Sequence, residues 1–419
     1  MASPAGPAGA GTHGTPGRFA LLAERDFRRL WLVGAIISTV RWLELLAVGV
    51  VVFDLTGSPA EVALLTILRM LPLALFGAFA GAMAEWTDHR RILVLGLGVL
   101  AATSAALVVL AATGHIEVWH LAIGAVLNGM FWLTDYPVRR TWLGEIAGTA
   151  RVGAAMTLDT LTNNGTRMLG PTLGGLLLEF LGLDGAFLLA FALYAAALLL
   201  LAGLHAPRRV HVRTGKVLAR VAEGLAHVRR DPTLLGLLAI TAIFNLWGFP
   251  VVSMIPVIGK DFLGLSAFPV GLLMGCEGAG ALVGSLALVM FARAWLYRRI
   301  YVFGLVLFLL SVLAFSHSPV ALLSGTLLFV AGLGAAGFAA MQAALVFLNT
   351  PDAVRSRVMG VLSVCIGTAP IGFLHIGLLA DWLGAPMAIA ILSLEGLVAV
   401  AVTCRLWPEV LAAQRSPIV

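Results

Sequence analysis

Residues 206–232 read APRRVHVRTGKVLARVAEGLAHVRRDP, a polar interruption in an otherwise apolar chain. Seven residues of this stretch are Lys or Arg. Its second part places Val217, Leu218, Val221, Leu225 and Val228 at helical spacing against Arg220, Glu223, Arg229 and Arg230, which predicts an amphipathic helix lying on a membrane surface. Six apolar runs precede it, at 31–54, 62–84, 92–113, 118–136, 152–178 and 185–205. Six follow, at 233–258, 268–291, 300–315, 319–348, 358–380 and 385–404. Each is long enough, or nearly so, to cross ~30 Å of hydrocarbon at ~1.5 Å per helical residue. The expected fold is therefore an all-α polytopic membrane protein, with 12 transmembrane helices in two six-helix pseudo-symmetric bundles. Its parts would be a disordered segment 1–29, bundles 30–205 and 233–405, the linker 206–232 and a tail 406–419.

Charge placement sets the expected orientation. The N-terminal segment and the alternate loops that follow it hold 23 of the 27 Lys and Arg residues. Lys260 is the one cation in the opposite set of loops, while Arg41, Arg69 and Arg167 lie inside apolar runs. By the positive-inside rule both termini face the cytoplasm. A composition 60% hydrophobic and 11% charged leaves too little charge for the surface of a water-soluble domain. The pI near 9.8 then reports loop arginines drawn to anionic membrane lipids and argues against a nucleic-acid partner. Residues 1–20 are rich in Gly, Ala and Pro without an apolar core, so they read as a tail and not as a cleaved signal.

Several chemistries find no support. Cys276, Cys365 and Cys404 sit far apart in apolar runs without metal-ligand spacing, so neither a disulfide, nor a metal, nor another cofactor is expected. No phosphate-binding loop, nucleophile elbow or paired catalytic acids appear, which argues against an enzyme and against ATP-driven work.

The informative chemistry is charge inside the membrane, where each ionised group costs roughly 2.5–3.5 kcal/mol on insertion scales and normally faces a partner or a wet cavity. Arg41 and Glu44 stand one turn apart in the first run, and Arg69 in the second falls at similar depth, so an Arg41–Glu44–Arg69 cluster is geometrically possible. A carboxylate between two guanidiniums carries protons poorly; it suits a structural ion pair, a gate, or an anionic ligand if Glu44 is drawn aside. Glu277 has no cation on its own run, and a lone buried carboxyl is the first candidate for a protonation site. Asp159, Asn163, Asn164 and Arg167 form a polar strip expected to face a cavity. Asn128, Asn245, Gln342 and His375 could line a pathway or simply bond between helices, and Trp42, Phe131, Trp132, Phe244, Trp247 and Phe249 could form an adaptable apolar pocket. Asp135, Arg139 and Arg140 are expected at the cytoplasmic edge, fastening the fourth helix to its loop.

The two halves echo each other: GAMAEWTDHRR at 81–91 has a counterpart in FARAWLYRR at 291–299, and PVRRTWLGEIAGTARVGAAM corresponds to TPDAVRSRVMGV. Six plus six helices, a central basic loop, the 81–91 loop and the Gly170, Pro171, Gly174, Gly175 set resemble the major facilitator superfamily, over nearly the whole chain from Arg25 to Arg405. Within it, VVFDLTGSPAEVALL, LRMLPLALFGAFAG, LNGMFWLTDYPVRR, RMLGPTLGGLL, VAEGLAHVRRDPTL and RSRVMGV resemble the bacterial branch that includes the enterobactin exporter and drug efflux permeases. The resemblance implies a secondary transporter of the bacterial inner membrane that works by alternating access as a monomer, expelling amphipathic small molecules or siderophores in exchange for protons; uptake, lipid-related transport or a non-transporting sensor remain alternatives. It implies a conformational latch at Gly81, Glu85, Asp88, Arg90 and Arg91, although Trp86, Asp88 and His89 depart from the usual basic, glycine and basic residues. It also implies an antiport-type motif at Gly170, Pro171, Gly174 and Gly175, where small residues and a proline permit close approach and bending. On the fourth helix Asn128-Gly129 replace the Gln-Gly pair of many proton-coupled exporters, and Ala125 replaces their arginine.

Overall fold

Helix α1 (Arg25–Thr56) ends where Gly57 turns to φ 66°, a left-handed conformation that favours glycine, and Pro59 begins α2 (Pro59–Trp86) on the return. The computed structural model describes residues 20–86, 88–148, 151–204, 217–351 and 354–412, apart from the side chains of 20, 78–86, 217–221 and 356. Asp88 opens α3 (His89–Ala112) by accepting hydrogen bonds from the Arg90 and Arg91 amides, and α4 runs Val118–Ala147. The helical run Val152–Ala202 folds back at Gly182, with φ 71° and ψ −172°, and so makes two crossings, α5 (152–181) and α6 (183–202). The amphipathic helix α7 (Val217–Val228) leads to α8 (Pro232–Phe262), α9 (Ala267–Phe291), α10 (Tyr297–Ser316), α11 (Ala321–Leu348), α12 (Arg357–Leu383) and α13 (Ala385–Leu406). Ten described stretches are apolar and long enough to cross a membrane. One of these is the double crossing bent at Gly182, and the more polar α4 completes twelve.

Two crossings are irregular for identifiable reasons. Pro250 and Pro256 cannot donate to the helical ladder, and α8 answers with wide turns at Phe244–Gly248 and Ile258–Phe262 around a tight segment. Helix α12 is interrupted at Gly367, just before Pro370. The linker helix α7 packs on the first turns of α12: Glu223 pairs with Arg357 at 3.1 Å, and a side chain at Gly224 would press into the Arg357 carbonyl.

The halves share an apolar core at the arginine-poor ends of their helices, where Leu46, Val50, Val62 and Leu65 meet Val251, Met254, Val270 and Ile376. Three polar junctions close the same face. Lys260 Nζ lies 3.0 Å from Asp54, joining α8 to α1. Asp381 of α12 accepts from Ser58 Oγ at 3.1 Å and from the Ala60 amide at 3.0 Å, and Glu179 of α5 accepts from the Phe268 amide at 2.7 Å. Toward the arginine-rich ends, Phe27, Leu93, Trp142, Tyr194 and Leu201 form a core belonging to the first half alone. A cavity of about 540 Å³ opens between the halves there, reaching Gly77, Tyr136, Pro137 and Ser363.

Candidate functional site: buried charges beside a central cavity

Helix α4 does not end near 136 as its apolar run predicts; it continues to Ala147 and carries its charges inward. Asp135 is fully buried, and the i,i+4 spacing sets Arg139 Nε 3.2 Å from its carboxylate, with Arg41 Nη2 of α1 at 3.3 Å on the other oxygen. Arg139 Nη1 then reaches Asp159 of α5 at 2.5 Å, and Arg140 Nε holds the second Asp159 oxygen at 2.8 Å. The result is a continuous alternation Arg41–Asp135–Arg139–Asp159–Arg140 tying α1, α4 and α5. Gly34 makes room for it, since a Cβ there would strike the Arg139 guanidinium. Burial of so much charge is tolerable because each carboxylate meets two donors. Asp135, Arg139 and Arg140 thus fasten the fourth helix to α1 and α5 and not, as expected, to its own loop. Pairs that neutralise one another can sit inside a bundle, although in sequence they look like a solvated loop.

Arg41, Glu44 and Arg69 do come together, but not as direct ion pairs. Arg41 turns to Asp135, and hydrogen bonds link Glu44 to Arg69 through Asn128, whose Nδ2 donates to Glu44 at 2.6 Å while its Oδ1 accepts from Arg69 Nη2 at 2.9 Å. Arg69 Nη2 also donates to the Arg41 carbonyl at 3.1 Å. Asn128 can intervene because Gly129 brings α4 against the Arg69 backbone, where any Cβ would collide with the Arg69 carbonyl. Glu44, with the Tyr194 phenol beside it, faces a void of about 40 Å³ bordered by Ser104 and Asn128, which shares Leu45, Thr66, Arg69 and Val252 with the central cavity.

Glu277 is not a lone carboxyl. Arg167 Nη2 of α5 lies 2.5 Å from its Oε1, making an ion pair between the two halves. Arg167 also stacks 5.1 Å over the Trp42 ring. Nor do Asp159 and Arg167 work as one strip, for they turn to opposite neighbours, α4 and α9. Between them Asn163 accepts from Ser38 Oγ at 2.9 Å and Asn164 donates to Ser285 of α9 at 2.8 Å. The Gly170 to Gly175 set lies one turn beyond. Cβ atoms on Gly170 and Gly174 would stand 2.8 Å and 2.9 Å from the Thr39 and Leu43 carbonyls of α1, and one on Gly175 would stand 3.1 Å from Gly271 Cα of α9. Pro171 is buried in the same contact, its carbonyl against Gly271. These residues let α5 touch both neighbours at backbone distance.

The loop motif is placed only in part. Gly81 and Glu85 lie outside the described side chains. Arg90 donates to the Leu201 and Ala202 carbonyls at the end of α6, at 3.3 and 3.0 Å, and Arg91 pairs with Asp88 at 3.5 Å, so these contacts stay within the first half. On the other side of the cavity, Asn245 and Gln342 line an adjoining space of about 290 Å³ with Phe244, Phe249 and Phe338. His375 stands apart, 3.7 Å from Glu395, which accepts from Trp247 Nε1 at 2.9 Å. Sequence reading passed over Glu395 and Tyr194; the signal available was a charge or a phenol in an otherwise apolar run.

Residues 16–416 match the family described as transmembrane secretion effector. The chain is 28% identical over 378 residues to an uncharacterized MFS-type transporter, YfiS, of Bacillus subtilis (strain 168), covering 83% of this chain and 85% of the relative. It is 28% identical over 356 residues to the multidrug efflux pump Tap of Mycolicibacterium fortuitum, covering 81% and 85%. Among solved structures, the nucleoside transporter NupG superposes with a TM-score of 0.72 at 13% identity, over 91% of this chain and 99% of that one, a likeness of fold.

Proposed function

Because this chain belongs to the transmembrane secretion effector family of the major facilitator superfamily, we propose that it is a secondary transporter that expels amphipathic small molecules, siderophores among the candidates, from the bacterial cytoplasm in exchange for protons. The observation that carries this reading is the cavity between the halves, walled by Trp42, Trp132 and Phe249 and lying below the junctions that join the arginine-poor ends. A pocket of this size and lining suits a drug-sized amphipath. The resemblance to Tap supports efflux as the direction. With the arginine-rich face taken as cytoplasmic, both termini lie inside the cell and the cavity is the inward-facing state. Alternating access then requires the Asp54–Lys260, Asp381–Ser58 and Glu179–Phe268 junctions to part while the arginine-rich ends close. The described cavity lies within one chain, in keeping with a monomer embedded in lipid as the proposed working unit.

Inverted membrane vesicles containing the chain test the coupling. With an acidic lumen they should accumulate a fluorescent amphipath several-fold above vesicles lacking the chain, and the accumulation should collapse when the pH gradient is dissipated. Accumulation that ignores the gradient would replace the antiport reading with a uniporter.

Asp381→Ala removes the acceptor of two hydrogen bonds at the arginine-poor face, on exposed groups worth about 0.5–1.5 kcal/mol each. The expected result is a several-fold rise in labelling of a cysteine introduced at Thr66 by a membrane-impermeant maleimide added outside. Unchanged labelling would show that this junction does not hold the face shut.

A further inference from the structure

The signs of charge around the central cavity are one-sided. Its described lining contains Arg41 and Arg69 and no carboxylate; the other polar members are Thr66, Tyr136, Asn163 and Ser363, with Trp indoles beside them. The adjoining aromatic space shares Met70, Leu73, Trp132, Phe249 and Ile366 with it and adds Asn245 and Gln342, again without charge. The nearby carboxylates are turned away. Asp135 is fully buried between Arg41 and Arg139, and Glu44, held by Asn128, opens on a small void that meets the cavity at Thr66 and Arg69 without itself lining the cavity. Both cavity arginines are themselves nine-tenths or more buried, yet among the described residues each bonds to the protein through Nη2 alone. Arg41 lies 4.8 Å over the Trp132 ring, so a cationic head and a flat apolar platform stand side by side.

The geometry points to an amphipathic organic anion as the substrate class: a carboxylate or sulfonate directed at Arg41 and Arg69, with a flat apolar body against Trp132, Trp42 and Phe249. This rests on the transporter reading above and narrows it. Guanidiniums pair with planar oxyanions through parallel hydrogen bonds, and the low-dielectric wall strengthens that pairing. The same wall repels an ammonium group, which finds no carboxylate among the described residues that line the cavity. Selection by charge sign then comes from what the cavity lacks as much as from what it holds.

Three probes with one ring system separate the possibilities: pyrenebutyric acid, its primary amide and pyrenebutylamine, titrated by fluorescence against the purified full-length chain. The acid should bind about tenfold or more tightly than either of the others, the gain expected from one or two charge-assisted hydrogen bonds. Arg41→Gln and Arg69→Gln should each erase that preference, and Arg41→Lys should retain the order at lower affinity. Equal or tighter binding of the amine, or no binding of the acid, overturns the inference on the native chain, whatever the variants do to folding. Binding of phosphatidylglycerol, lost in Arg41→Gln and Arg69→Gln, with no binding of the acid would assign the arginines to a lipid headgroup and overturn it equally. Vesicle transport keeps the two readings apart. A chain that prefers the acid but moves nothing refutes the transporter mechanism alone, and one that pumps the amine but not the acid refutes the anion class alone.

Discussion

Arg139→Ala is expected to leave little folded protein in the membrane. Its guanidinium bridges Asp135 and Asp159 in the middle of the buried chain, and only 6% of its side-chain surface is exposed. Truncation would leave Asp135, on α4, with Arg41 at 3.3 Å as its remaining ion-pair partner, and Asp159 with the partly exposed Arg140. Breaking a buried pair by removing one partner costs about 3–5 kcal/mol, a large share of the roughly 5–15 kcal/mol that holds a typical domain together. A cavity in the place of the guanidinium, beside Gly34, adds to the loss. Arg140→Ala should do much less, because Arg140 has 28% of its side chain exposed and Asp159 would keep Arg139. The measurements are the monodisperse fraction after extraction and the thermal midpoint in detergent. A midpoint for the Arg139 variant within about 2 °C of the parent would show that the charge chain contributes little to folding.

Much of the architecture was legible because lipid imposes a simple rule: backbone polar groups must be satisfied within helices, so long apolar runs must cross. The reversal near 182 could be read between runs 152–178 and 185–205, even though helical hydrogen bonding continues through it; only Gly182 departs from helical geometry. Charge partnership was less legible. Equal depth brought Glu44 and Arg69 together on paper, but depth says nothing about rotation of a helix about its axis, and rotation puts Asn128 between them. Arg167 and Glu277 are separated by 110 positions, and nothing local to either announces the other. For α4, the charges at 135, 139 and 140 marked a helix end to the eye because the pattern of a solvated terminus and that of a buried, neutralised network are the same in one dimension. The glycines carried real information in both cases: Gly129 and Gly34 mark where a backbone or a guanidinium passes too close for a methyl group.

Glu277→Gln should separate the drive of the transporter from its substrate path. Among the described residues, the Arg167–Glu277 pair is the deep ion pair that crosses between the halves, set where Gly275 and Gly278 of α9 press against the α5 backbone. Arginine stays charged throughout any transport cycle, so the strength of this contact depends on whether Glu277 carries a proton. A proton on Glu277 replaces an ion pair by a neutral hydrogen bond and loosens α5 from α9, whereas its loss draws them together again. Glutamine imitates the protonated form permanently: its amide oxygen can still accept from Arg167, so the fold should persist, but no proton can be exchanged. In vesicles the variant should lose about tenfold or more of the gradient-driven accumulation, equivalent to about 1.4 kcal/mol or more of drive. Downhill exchange of labelled for unlabelled substrate should survive, because the Arg41 and Arg69 wall is untouched. Arg167→Gln tests the same contact from the other side and should impair both activities, since it leaves a buried carboxyl without its cation and removes the stack on Trp42. Full gradient-driven accumulation by the Glu277 variant, with the pH profile of the parent, would remove this pair from the coupling mechanism and leave it a structural bond between two halves.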